Sequence, residues 1–290
     1  MLKKRVIGTV VVRGGIAVQS IGFSRFLPLG RPEIAVEFLN AWGVDEILLL
    51  DVGPDRAARG PDLDMVRRVS RACLTPLTVG GGISRLDHVR GLIRSGADKV
   101  AVNTALLADA SLAGQIAGVF GNQCLVASVD YKARPDGTPR VWADSGRRPT
   151  DESPADCARR MENLGAGEIL LHDIDADGAR QGFDCKTVRQ VVQAVGVPVI
   201  ACGGAGGPGH FLEVFTAGGA AAACAGNYFH YTEHSVVLCK TFLRRHGLNV
   251  RLDTAADYAE ARLGEDGRLG KRDEAVLDAL RFAHLPEEVI

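Results

Sequence analysis

The chain repeats itself. The segment 38–51, FLNAWGVDEILLLD, falls on 160–173, RMENLGAGEILLHD, so that Glu46 matches Glu168 and Asp51 matches Asp173, both at an offset of 122. The same offset carries TPLTVGGG (75–82) onto VPVIACGG (197–204), and Gly96 of SGADKV onto Gly218 of AGGAAA. A constant offset through three successive apolar runs requires two copies of one long supersecondary unit.

Each copy reads as strand, helix, strand, helix. The strands are short, continuously apolar runs, as expected of parallel strands covered on both faces. They are predicted near Arg5–Val12, Glu46–Asp51, Leu77–Gly80, Lys99–Asn103, Cys124–Asp130, Glu168–Asp173, Val199–Cys202 and Ala221–Ala225. Amphipathic stretches lie between them, at 32–43, 63–73, 87–97 and 186–196, with apolar spacing near 3.6. A doubly wound open sheet is the rival architecture, but two equal halves of four strands favour closure. The predicted fold is a single (β/α)8 TIM barrel over 1–252, built from half-barrels of about 1–122 and 123–252. Residues 253–290 lie outside the repeat as a C-terminal extension. In it, 263–274 reads as an exposed polar connection and 275–285 as a short amphipathic helix docked on the barrel.

The charge balance of 34 basic against 35 acidic residues provides no electrostatic footprint for nucleic acid or an anionic membrane. An anionic ligand must therefore be held locally. No run approaches the roughly 20 apolar residues of a membrane span, and the apolar start breaks at Arg13-Gly14-Gly15 without a cleavage site, so a cytoplasmic protein is expected. Seven cysteines without a CxxC pair read as reduced core fillers, and the histidines show no HExxH spacing. No metal or other cofactor is expected.

In such a barrel the chemistry gathers at the C-terminal ends of the strands. Two glycine clusters stand there, Gly80-Gly81-Gly82 and Gly203-Gly204-Ala205-Gly206, each followed by a second small or polar strand end, Asn103-Thr104 and Gly226-Asn227. Glycines let backbone N–H groups approach an anion, and the recurrence in both halves points to two phosphate sites facing each other across the mouth. Carboxylates close three strands: Asp51, Asp130 and Asp173. Asp130 is the sharpest candidate, because it ends the otherwise apolar run VASVD. Arg5, Glu46, Lys99 and Glu168 begin strands instead, at the barrel bottom, and read on physical grounds as a ring of ion pairs sealing it.

The segments VDEILLLD, PLTVGGG, SGADKVAVNT, GNQCLVASVD, LGAGEILL, DIDADG, PVIACGGAG and NYFH resemble, in order and spacing, the HisF-type cyclase subunit family of imidazole glycerol phosphate synthase. The resemblance covers about residues 1–252. It implies a barrel that takes ammonia from a HisH-type glutaminase partner and uses it to cleave and cyclise a doubly phosphorylated substrate in histidine biosynthesis. It further implies phosphate contacts at Gly82, Asn103 and Thr104 in one half and at Gly204, Gly226 and Asn227 in the other. Asp51, His172, Asp173 and Asp177 would stand around the mouth. The bottom ring of Arg5, Glu46, Lys99 and Glu168 would be the ammonia gate, with Asp98 facing the glutaminase.

One departure is serious. The family's proton-transfer groups are two aspartates; Asp130 matches one, but the motif of the other is here Val10-Val11-Val12, with Val11 at the aspartate position and Gln19 where a lysine belongs. A valine cannot transfer a proton. His172 also replaces a small hydroxyl residue. Changes confined to the substrate end, with the gate positions kept, imply a paralogue that channels ammonia to another acceptor. The segment 19–51 resembles the branch that serves sugar amidotransferases of surface polysaccharide (lipopolysaccharide) biosynthesis, where an acetamido group becomes an acetamidino group. Two alternatives stay open at this point: a true histidine-pathway cyclase with a substitute acid, and a non-catalytic barrel that activates its glutaminase.

Overall fold

In the computed structural model, described for all residues except 1–2, 232–233, 255, 257, 259–260, 265–266 and 280–290, eight parallel strands close on themselves. Numbered in chain order, the strands are β1 (Arg5–Arg13), β2 (Ile16–Ile21), β3 (Arg25–Gly30), β4 (Glu46–Asp51), β5 (Leu77–Gly80), β6 (Lys99–Val102), β7 (Leu125–Ala133), β8 (Pro139–Ala143), β9 (Arg148–Pro149), β10 (Glu168–Asp173), β11 (Val199–Cys202) and β12 (Ala222–Ala225). The barrel runs β1-β4-β5-β6-β7-β10-β11-β12, and β12 pairs back to β1 with Arg5 beside Ala222 and Gly8 beside Ala225. The protein is a (β/α)8 TIM barrel.

Helices such as Pro32–Ala41, Leu63–Ala72, Leu86–Arg94 and Cys185–Ala194 bury one apolar stripe each against the strands. The duplication reaches their caps. Asp62 and Asp184, again 122 apart, each accept a backbone N–H three residues on, from Met65 and Thr187, both at 3.0 Å. Along the barrel axis the strands fill the interior with Ile7, Leu48, Ala101, Val126, Leu170, Ile200, Ala222 and Cys224, an apolar core. All seven cysteines are free, and five of them are buried.

Four differences from the sequence expectation matter. The apolar run of β1 does not stop at Val12; it turns at Gly14-Gly15, with φ of +61° and +77°, and returns antiparallel as β2, which pairs on with β3. A second hairpin, β7–β8, stands at the equivalent place in the other half. The repeat also slips by one residue near its end: Gly96 is matched by Gly219, not Gly218. Gly96 and Gly219 share a positive φ (+103° and +77°), and Asp98 and Ala221 make the same bond, to Leu77 O and Val199 O. One residue is thus inserted before β12, and β6 and β12 lie 123 apart. In the extension, helix is found over Glu274–Ala279 and the rest of the expected helix lies outside the described residues. Of this turn, Glu274, Ala275, Val276, Asp278 and Ala279 are exposed. Among the described residues no helix is long and apolar enough to cross a membrane.

Candidate functional site

The mouth is built twice over on one backbone plan. Gly81 and Gly203, at φ +107° and +96°, follow β5 and β11 so closely that a Cβ on either would stand 2.2 Å from the carbonyl oxygen of Asp51 or Asp173. Only glycine fits. Gly82 and Gly204 in turn press on Gly60 and Gly182, another pair 122 apart. Behind each turn sits a histidine of the next helix. His88 Nδ1 lies 3.3 Å from Ser84 N, and His210 Nδ1 lies 3.1 Å from Gly206 N, as acceptors that pin the two loops. At the next strand ends, Asn103 (φ −114°, ψ −83°) and Gly226 (φ −104°, ψ −80°) share a conformation.

On this common frame the side chains differ. The register places Val11 beside Leu50 between β1 and β4, and Asp130 beside His172 between β7 and β10. Since Leu50 and His172 are equivalent at offset 122, Val11 occupies the position of Asp130 in the other half. Val11 packs in an apolar cluster with Val18, Phe23, Val52 and Ile174. Phe23, carried over the mouth by the β2–β3 hairpin, meets the His172 ring edge-on at 4.8 Å between centroids.

Asp130 is buried and accepts the Ser128 hydroxyl at 2.6 Å. Burial raises its pKa, opposed by His172, Ser128 and Arg56. His172 is 2% exposed, and its Nε2 has no hydrogen-bond partner. Burial disfavours charge on the imidazole, yet Cys202, Asp130 and Asp177 more than offset this and bring its pKa to about 10. Cys202 is itself held well above the ordinary thiol range, foremost by its hydrogen bond with Cys224 and by burial, so it stays a neutral thiol. The upward direction at His172 therefore rests on the two carboxylates.

The two glycine frames line cavities of unequal size. The first, about 310 Å³, takes in Gly82, Asn103, Thr104, Arg56, Asp51, Asp130 and His172. The second, about 30 Å³, takes in Gly204, Gly226, Asn227, Val11, Asp177 and, again, His172. Asp173 joins neither; it points away from the axis into a separate cavity beside Tyr131 and Asp184, as the alternation of β10 requires once His172 faces inward. Asp51 is held by Arg59 at 2.6 Å and by Gly53 N at 2.8 Å.

At the other end of the barrel, the four charged strand starts close a ring. Arg5 reaches Glu46 at 2.7 Å and Glu168 at 2.9 Å, and Lys99 reaches the same two glutamates, each at 3.2 Å. Thr78 adds a hydrogen bond to Glu46 at 2.7 Å. Glu46 and Glu168 are repeat equivalents, and the cations alternate with them, so every charge has two opposite neighbours. Asp98, exposed nearby, accepts Leu77 N at 2.8 Å.

The sequence profile of the histidine biosynthesis protein family matches residues 5–235. The chain belongs to this family. Relatives at 42% identity are the imidazole glycerol phosphate synthase subunits HisF of Geobacillus thermodenitrificans (strain NG80-2) and Pyrococcus furiosus; each is matched over 87% of this chain and 100% of its own length. A Vibrio vulnificus (strain YJ016) protein, provisionally named imidazole glycerol phosphate synthase subunit hisF2, is 39% identical over 92% of this chain and 98% of its own length. The chain is thus a HisF-type barrel.

Several residues of this HisF-type mouth escaped the reading of the sequence: Phe23 on its hairpin, Arg56, and the pairs Gly60/Gly182 and His88/His210. The last two pairs obey the offset of 122 and were available to the same arithmetic that found Glu46 and Glu168. Phe23 and Arg56 carry no such signal, because Arg56 is matched by Gly178 and the hairpin by nothing in register.

Proposed function

We propose that this HisF-type chain is the ammonia-accepting subunit of a glutamine amidotransferase, with a HisH-type glutaminase at the barrel bottom and an acceptor at the mouth that is not the histidine-pathway substrate. The observation that carries the reading is the contrast between the ends. The four-charge ring is complete, whereas the position across the mouth from Asp130 is Val11, embedded among apolar side chains. A proton-transfer group is typically worth about a hundredfold to ten-thousandfold in rate, and valine supplies none.

In this reading Arg5, Glu46, Lys99 and Glu168 admit ammonia, and Asp98 meets the glutaminase. The apolar interior then carries a small neutral molecule toward Asp130 and His172. The acceptor is a sugar precursor of a surface polysaccharide, phosphorylated or nucleotide-linked, whose acetamido group is amidinated in the cytoplasm. The barrel comprises 1–252 and the extension 253–290; in support, the HisF relatives are aligned over their whole length on 252 and 253 residues of this chain.

The second reading, a true cyclase, draws on one observation: His172 Nε2 is unpartnered beside Asp130 and could stand in for the missing acid. One experiment separates the readings. The chain is reconstituted with its own glutaminase and amide-15N glutamine, and label is followed into a sugar acetamidine and into the imidazole product, while the gene is tested in a histidine auxotroph lacking the cyclase. Label in the sugar with no rescue supports the proposal. Rescue supports the second reading, and glutaminase activation with label only in free ammonia would leave a non-catalytic activator.

A further inference from the structure

We infer that the acceptor is anchored at the mouth by a single phosphoryl group, held in the first-half cavity, and that the second-half frame is built as a closed wall. The inference rests on the reading of the mouth as an acceptor site and fixes the class of acceptor. The backbone alone would predict two equal anion sites, since Gly82 and Gly204, and Asn103 and Gly226, are conformational twins. Three side-chain features break the equality.

The first is space. A cavity of about 30 Å³ is room for roughly two water molecules and not for a phosphate tetrahedron, whereas about 310 Å³ takes a phosphoryl group with part of the molecule that bears it. The second is what occupies the smaller frame. Asn227 Nδ2 donates to Ser20 O at 2.8 Å, and the Ser20 hydroxyl donates to Asp177 at 2.6 Å; Phe23 N adds a further bond to Asp177 at 3.3 Å. The hairpin is thus tied down on the very residues that would contact an anion. The third is charge. Arg56, whose guanidinium donates to Gly53 O, Asp144 and Ser145 at 2.9 Å each, lines the large cavity, and its repeat equivalent is Gly178. Asp177 lines the small cavity and has no salt-bridge partner among the described residues. Both cavities carry carboxylates, Asp51, Asp130 and Asp144 in the large one and Asp177 in the small, but only the large one supplies a guanidinium, that of Arg56, paired there with Asp144.

His172 is the remaining element, buried to 2%, lining both cavities with an unpartnered Nε2. It stands between the frames and, with Phe23 against its ring, fills the path from one to the other. Its free nitrogen serves an acceptor bound in the large cavity. A doubly phosphorylated chain laid across the mouth would have to displace the histidine, the phenylalanine and the Ser20–Asp177 bond together.

The test uses the isolated full-length chain, so it is independent of ammonia transfer. Inorganic phosphate is titrated in and followed by calorimetry and by backbone amide NMR. One site is expected, with shifts at Gly82 and Thr104 and none at Gly204 and Gly226. Arg56→Gln should weaken it about tenfold or more, as expected for loss of a charge-assisted contact. Thr104→Val, a gentler change, provides the same reading if Arg56→Gln fails to fold. A sugar bisphosphate should bind within about threefold of the matching monophosphate. Two sites of similar strength, shifts at Gly204 and Gly226, a bisphosphate preference of about tenfold or more, or no phosphate binding at all would each overturn the inference. None of these results bears on whether the ring passes ammonia.

Discussion

Lys99→Met probes the ring at its weakest link while keeping most of the side-chain stem. Lys99 makes its contacts at 3.2 Å, longer than those of Arg5 at 2.7 and 2.9 Å to the same two glutamates. Removing one partner of a fully buried ion pair costs about 3–5 kcal/mol, because the other charge is left uncompensated in a poorly solvated place. Two facts reduce this here. The Lys99 side chain is 18% exposed, and both glutamates keep Arg5, Glu46 also keeping Thr78 at 2.7 Å. We therefore expect about 1–3 kcal/mol, which for a chain of this size is a fall in Tm of roughly 2–5 °C.

Arg5→Met should cost more, since it removes the shorter contact from both glutamates at once. The double variant should lose more than the sum, because each glutamate then faces the other with no cation between them. Calorimetric scans at low and at 1 M salt supply the assay. A ring with this little solvent should keep most of its effect at high salt, whereas an exposed set would lose it. Shifts below about 1 °C for both single variants, or a larger loss for Lys99→Met than for Arg5→Met, would refute the geometric reasoning.

Two further outcomes are expected. Val11→Asp puts a carboxylate among Val18, Phe23, Val52 and Ile174, so its folded pKa should stand above the unfolded value of about 3.9. Its destabilisation should grow as pH rises, reaching about 2–4 kcal/mol by pH 8 in urea unfolding, and an unchanged midpoint at pH 8 would show that the pocket accepts the charge. For His172→Gln the sign is the reverse. The raised pKa gives the folded state an advantage that is complete below the unfolded pKa of about 6.5 and is lost as pH climbs through the higher folded value. The gap between wild type and variant should therefore shrink as pH rises from about 6 to about 10.5, and a gap independent of pH would mean that the imidazole binds protons alike in the folded and unfolded states.

What the sequence disclosed follows from the physics of burial. The eight barrel strands were legible because parallel strands covered on both faces must be continuously apolar, and Glu46 and Glu168 were legible because duplication put them in register. The β2–β3 hairpin was not. Neither strand carries a period-two pattern, since β2 buries Ala17, Val18 and Ser20 and β3 buries no residue, Leu27 and Pro28 being exposed, and the Gly14-Gly15 turn read as an ending when it was a reversal. The slip at Gly219 was hidden by a run of alanines and glycines in which any register aligns. The closure of the second cavity was beyond reach altogether, because it depends on Ser20, Phe23, His172, Asp177 and Asn227, from separate stretches of the chain, meeting at one place.

The placement of symmetry in the molecule carries its own argument. Where a position is fixed by backbone geometry, the halves agree: Gly60 with Gly182, Gly81 with Gly203, Asp62 with Asp184, His88 with His210. Where it is fixed by what a side chain does in the mouth, they part: Val11 from Asp130, Leu50 from His172, Arg56 from Gly178. A barrel whose mouth gripped the two ends of one extended substrate would need equivalent donors on both sides. On the single-anchor inference, this one keeps the scaffold for two sites and the side chains for one. At the bottom, by contrast, each glutamate is matched by its repeat twin, and the ring closes only because both are present. If the ring is the gate proposed above, what passes through it must be small and able to part ion pairs without replacing them. The proposed ammonia fits that description, a neutral molecule bound for the side of the mouth where Asp130, His172 and Arg56 stand together.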